Sequence, residues 1–150
     1  MKTYIHWGGR KLEKNRIKLI RNREHPWNKP YGGFWVSDEC APFGWKEWND
    51  GEQFREYEPD EFFKIRLAED ANIIILDSVK SWYDFQKNYG ISSLEFDFAI
   101  TKAFDFEWMV HNKVDAITIE LSKCHNLYDL MWGWDCDSTL ILNTDVIEEV

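Results

Sequence analysis

Long hydrophobic runs are missing from this 150-residue chain, whose longest unbroken apolar stretch is Ile73–Leu76. A bilayer-spanning helix needs about 20 such residues, so a transmembrane protein is excluded. Met1 to Gly9 hold no apolar signal-peptide core and no cleavage-like end; a cytoplasmic location is expected. Cysteine is scarce: Cys40, Cys124 and Cys136 are odd in number and show no CxxC spacing, which reads as reduced thiols rather than a disulfide frame. His25, Cys40, Cys124, His125 and Cys136 lack zinc-ligand spacing, so no metal is expected. The chain also lacks a GxxxxGK[ST] loop, a GxGxxG turn and a GxSxG elbow. Those absences argue against a P-loop hydrolase, a Rossmann dinucleotide fold and a serine hydrolase of that type.

Aromatic residues are abundant instead, with 9 Trp, 10 Phe and 6 Tyr making up 17% of the chain. Disordered chains are poor in such residues, and about 150 residues suffice for one buried core, so one domain over 1–150 is expected. Net charge is −9, which opposes general adhesion to nucleic acid. The charge is unevenly spread. Residues 1–30 carry nine Lys or Arg against two Glu, whereas the remaining 120 carry nine basic and 25 acidic side chains. A basic first fifth on an acidic body is either a local anion site or a solvated face that offsets the acidic remainder.

Short apolar or alternating runs rich in β-branched and aromatic residues predict strands at Thr3–Trp7, Gly33–Ser37, Phe62–Leu67, Asn72–Leu76, Ala116–Leu121 and Thr139–Leu142. Alternation suggests a further strand at Arg16–Ile20. Helical periodicity marks Val79–Asn88, with Ser78 as N-cap and Gly90 as stop, and Trp45–Phe54, Phe104–His111 and Asn126–Met131 are further helices. Helices fall in batches between strands, which predicts an α+β class with mostly antiparallel sheets packed face to face and peripheral helices.

Three segments carry the chemistry. In Tyr4-Ile5-His6-Trp7-Gly8-Gly9 a strand runs into glycines, where a flat ligand can approach the backbone and His6 can bond a hydroxyl. The other reading is an ordinary turn after a half-buried histidine. In Lys29-Pro30-Tyr31-Gly32-Gly33-Phe34-Trp35-Val36-Ser37 a turn enters a strand with Phe34 and Trp35 on opposite faces, one for the core and one as an aromatic wall. Ser37 is placed to bond a ligand hydroxyl or to cap the next segment. In Gly133-Trp134-Asp135-Cys136-Asp137-Ser138-Thr139-Leu140-Ile141-Leu142-Asn143 an acidic turn feeds a strand, and its acids are either catalytic or plain turn residues. Glu120, within Ile117–Leu121, is a competing acid.

Taken in this order, the three segments resemble the diphtheria-toxin and poly(ADP-ribose)-polymerase branch of the ADP-ribosyltransferase fold. That family opens on a strand with a His and a small residue, as in His6-Trp7-Gly8. It continues with an aromatic strand after a glycine, as in Gly32–Ser37. It closes with an acid before a strand whose tail is similar to Asn143-Thr144-Asp145-Val146. The chain is also similar to small bacterial and phage proteins that share a KPxGGxW…GWxxW…GWDCDS outline.

The resemblance implies NAD+ as substrate, no metal and no membrane, with transfer of ADP-ribose to a protein or nucleic-acid acceptor, or hydrolysis of NAD+. It assigns the nicotinamide to the Gly8 backbone and to an aromatic among Tyr31, Phe34 and Trp35, with Ser37 nearby. His6 would hold a ribose, Arg21 and Arg23 the pyrophosphate, and Asp137 or Glu120 would stabilise the oxocarbenium-like state. Two other classes stay open. One is a non-catalytic acidic interaction or regulatory protein that binds a protein partner through an aromatic patch. The other is a nucleic-acid binder that uses the basic segment with stacking rings.

Overall fold

The computed structural model describes residues 1–24, 28–91 and 103–150. His25 lies outside them. Seven strands form one mixed sheet in the order β4-β5-β6-β2-β1-β3-β7. These are β1 (Tyr4–Trp7), β2 (Phe34–Asp38), β3 (Phe62–Leu67), β4 (Ile73–Leu76), β5 (Ala116–Ile119), β6 (Ser138–Ile141) and β7 (Ile147–Glu149). Every pair is antiparallel except β4 with β5, whose connection carries α2 (Val79–Tyr89) and α3 (Phe106–His111). Two further helices are α1 (Trp45–Glu52) and α4 (Asn126–Leu130).

The architecture is α+β with peripheral helices, but the two expected sheets are one. β2 joins them, because it pairs with β6 along Phe34–Val36 and with β1 at Ser37 and Asp38. The sheet cannot be flat. Leu67 and Ile73 are six residues apart in the chain, a reach of about 22 Å when fully extended. Five strand spacings separate β3 from β4 in the sheet, about 24 Å if planar. A turn closed by Ala71 N–H to Ala68 O shortens the link further, so the sheet curls to bring its halves together.

Alternation then sorts the side chains. The inner face carries Tyr4, Val36, Ile65, Leu67, Ala116, Ile141 and Ile147 as one core cluster. The outer face of β5 and β6 packs Ile117, Ile119 and Leu140 under Trp82 and Phe85 of α2, Phe106 and Met109 of α3, and Leu127 of α4. Ser78 caps α2 as expected, its Oγ accepting the Ser81 N–H at 3.1 Å.

Two segments depart from expectation. Arg16–Ile20 is not a strand: a 3₁₀ turn spans Lys14–Arg16, and the chain then makes a single bridge, Arg21 to Tyr31. Ile17 and Ile20 each pack on one of the two cores while Leu19 is 92% exposed, so the expected alternation of Ile17 with Leu19 is not kept. The strand expected over Ala116–Leu121 ends at Ile119, and a 3₁₀ turn covers Leu121–Lys123.

Entry into β2 rests on Gly32 and Gly33, both at φ +77°. A Cβ on Gly32 would lie 2.2 Å from Leu19 O and 2.6 Å from Lys18 O, both backbone atoms that cannot swing away. Gly32→Ala is therefore expected to cost about 2 kcal/mol or more, lowering the melting temperature by at least about 4 °C. A calorimetric scan against the native protein checks this.

Candidate functional site

Strands β6, β2 and β1, which carry the three chemistry-bearing segments, are adjacent at the centre of the sheet. The pairing of β1 with β2 stops after Ile5 opposite Ser37, although β1 stays paired with β3 as far as Trp7. The sheet thus opens at His6. The ring of His6 spans the opening, with Nδ1 2.8 Å from Trp35 O. A carbonyl oxygen only accepts, so Nδ1 carries the proton. Burial pushes the imidazole below its ordinary pKa, outweighing the Trp35 contact, so the ring is neutral and Nε2 keeps a free lone pair.

On the outer face beside this opening lies a cavity of about 550 Å³, within the roughly 300–1,000 Å³ usual for small-molecule sites. Trp7, Trp35, Trp45, Trp48 and Phe54 contribute aromatic surface, and Trp134 meets Trp35 edge-on at 4.8 Å between centroids. His6, Phe34 and Ser37 also line it.

Local chemistry explains how α1 comes to form a wall. The Glu47 carboxylate accepts the Gly44 N–H at 3.0 Å, and Ser37 Oγ accepts the Trp45 N–H at 3.0 Å, so two of the free amides at the start of α1 are satisfied. At its other end the Asn49 amide clasps the backbone of Arg55 through two bonds of 2.8 Å, which sets Phe54 and Arg55 at the rim.

Besides His6, Ser37 and Ser138, the polar residues lining the cavity are Lys29, Arg55, Asp135 and Cys136. Burial lowers the Lys29 pKa, partly offset by Asp135, and its Nζ lies 5.4 Å from the centre of the Trp35 ring. Burial, then the charges of Asp137 and Asp135, push the Cys136 thiol up to about 12, so it is no thiolate nucleophile. Asp135 is the one carboxylate among the described lining residues.

The structure brings together His6, Phe34, Trp35 and Ser37, and leaves the remaining expected residues elsewhere. Gly8 has φ +92°, but its N–H donates to Glu61 O at 2.8 Å and it does not line the cavity. Tyr31, Arg21 and Arg23 form an exposed cluster, the guanidinium carbons 5.2 and 4.6 Å from the Tyr31 ring centre.

Ser37 touches the cavity with its hydroxyl already committed, donating to Asp137 O at 3.0 Å while accepting from Trp45. Asp137 falls on the Thr139 side of β6 and its carboxylate accepts two backbone amides, Ser122 at 2.9 Å and Phe43 at 3.2 Å. Glu120, at the end of β5, pairs with Lys123 and lies 3.9 Å from Lys2. Both acids line a separate, smaller cavity of about 380 Å³ with Lys2, Asp38 and Thr118. Lys29 and Arg55 had no role in the sequence reading, and Asp135 stood there only as one of the two acids of the third segment, with Asp137 and Glu120 preferred for the chemistry. Lys29 and Asp135 lie within the second and third segments; for Arg55 there was no signal.

Two outcomes test these assignments. Asp137→Ala strips the acceptor from two amides and is expected to cost on the order of 2 kcal/mol in a denaturant titration. His6 is held below its unfolded value of about 6.5, so the unfolded chain binds the extra proton first as the solution is acidified. Its contribution to stability is complete above about pH 6.5 and falls away below, toward the folded pKa. The difference in stability between the native protein and His6→Gln, followed from pH 8 to pH 5, is expected to narrow below pH 6.5.

Among the described residues, no cluster of three or more His, Cys, Asp or Glu is arranged to hold a metal ion, and no helix is long and apolar enough to cross a membrane. No family model, no curated protein and no solved structure matches this chain.

Proposed function

We propose that the chain binds NAD+ in the outer cavity and cleaves its nicotinamide–ribose bond, as an ADP-ribosyltransferase or NAD glycohydrolase. The observation that carries the reading is the meeting of the β1, β2 and β6 segments at one aromatic hollow beside the opening at His6. These are the segments on which the likeness to the ADP-ribosyltransferase fold rests. The nicotinamide stacks on Trp35 or Trp45, whose flat faces suit a planar heterocycle. Arg55 and Lys29 meet the pyrophosphate. His6, neutral and with Nε2 free, accepts a ribose hydroxyl.

The acid is Asp135. Breaking the glycosidic bond sends its electron pair to nicotinamide and leaves positive charge on the anomeric carbon, which a carboxylate in a water-poor hollow stabilises. A nucleophilic acceptor or water then bonds that carbon and gives up a proton.

A second reading has its own support. Asp137 and Glu120 are both engaged in structural contacts, and Tyr83, Tyr128 and Trp132 are each more than half exposed. A non-catalytic protein that docks a partner through aromatic side chains would show the same pattern.

Thermal shift and nicotinamide release separate the two. NAD+ at about 100 times its dissociation constant is expected to add roughly 2.7 kcal/mol of stability, where ATP adds less. Asp135→Asn is expected to lower nicotinamide release by about 100-fold while the fold melts normally. No stabilisation by NAD+ together with no release removes the transferase reading and leaves the docking one.

A further inference from the structure

A second hollow of about 820 Å³ opens at the same break in the sheet, bounded by the segment 9–18 and the Gly32–Gly33 turn. It differs in chemistry from the aromatic cavity. Its floor is a set of rings: His6 stacks on Phe34 at 4.5 Å between centroids, and Phe63 lies parallel to Phe34 within 9°. Its rim is cationic, with Arg10, Lys11, Arg16 and Lys18 against Glu13. Arg10 is neutralised by Asp60 and Glu61, and Arg16 by Glu13. Lys11 and Lys18 are exposed and have no carboxylate partner among the described residues. Two uncompensated ammonium groups are thus kept at the mouth of a ring-floored hollow, on a chain whose net charge is −9.

Acidic side chains are plentiful here, so leaving these two lysines unpaired favours an anion from outside. The separation of charge from rings selects a ligand with a flat apolar part and a phosphate at one end. We propose that this hollow binds a nucleotide, with the base against the His6, Phe34 and Phe63 rings and the phosphate between Lys11 and Lys18. The nucleotide is either free or one unit of a single strand, whose bases are open to stacking; the bases of a duplex are not. The two hollows share His6 and Phe34, but Lys11 and Lys18 line only this one, so changing the lysines tests it without touching the aromatic cavity.

The experiment uses fluorescence anisotropy with a labelled single-stranded 12-mer of thymidylate, its duplex with adenylate, and competition by AMP or by inorganic pyrophosphate. Single strand is expected to bind and duplex to bind at least tenfold more weakly. Competition by AMP assigns a free-nucleotide site, and binding of the strand without competition by AMP assigns a strand site. Lys11→Glu combined with Lys18→Glu is expected to weaken binding at least tenfold, to flatten the salt dependence by about 1.4 in log–log slope, and to leave the melting temperature and the NAD+ response intact. The proposal is overturned if neither probe binds at 50 mM salt, if duplex binds as well as single strand, if pyrophosphate competes as well as AMP, or if the double variant binds unchanged.

Discussion

A single hydrogen bond from the His6 ring to the Trp35 carbonyl bridges β1 and β2 where their backbone pairing ends. The short β3–β4 link forces the sheet to curl, and pairing between β1 and β2 ends at Ile5 and Ser37. The Trp35 carbonyl turns toward the gap, and an unmet carbonyl in a half-buried site would cost about 1–3 kcal/mol. His6 supplies the missing donor at 2.8 Å, and its ring packs against both Phe34 and Phe63. A gap closed by a side chain rather than by backbone leaves room beside it, and the aromatic cavity and the cation-rimmed hollow share His6 and Phe34 in their walls.

The polar groups around the opening divide into those that build and those left available. Ser37 ties β2 to α1 and to the Asp137 carbonyl with one hydroxyl. The Asp137 carboxylate holds the 43 and 122 loops to the start of β6. Neither has much capacity left for a ligand. Lys29 and Asp135 stand differently: they share the cavity with the aromatic walls, influence each other electrostatically, and Lys29 bears the burden of burial. A cation kept in an apolar hollow is unfavourable unless something pairs with it, and a phosphate would do so better than one neighbouring carboxylate.

Much of this was legible in the chain itself. The alternating run Phe62–Leu67 and the apolar run predicted over Asn72–Leu76 became strands, and the Ser78 N-cap began a helix where it should. The three segments chosen for their glycines, rings and acids proved to be neighbours in the sheet. The misreadings share a cause. Arg16–Ile20 alternates as a strand does, but β-structure needs a partner, and the adjacent chain offers only the Arg21–Tyr31 bridge. Gly8 has the open conformation expected of it, yet Glu61 lies close enough to take its amide.

What the amino-acid order determined by itself is the list of elements and the face on which each residue lies, because both follow from local periodicity. What the tertiary structure decided is which acid meets the hollow. Asp135 and Asp137 are two residues apart, yet Asp135 lines the aromatic cavity while the Asp137 carboxylate accepts the amides of Phe43 and Ser122. That outcome depends on where the curl of the sheet brings distant loops, and no window of sequence contains that distance.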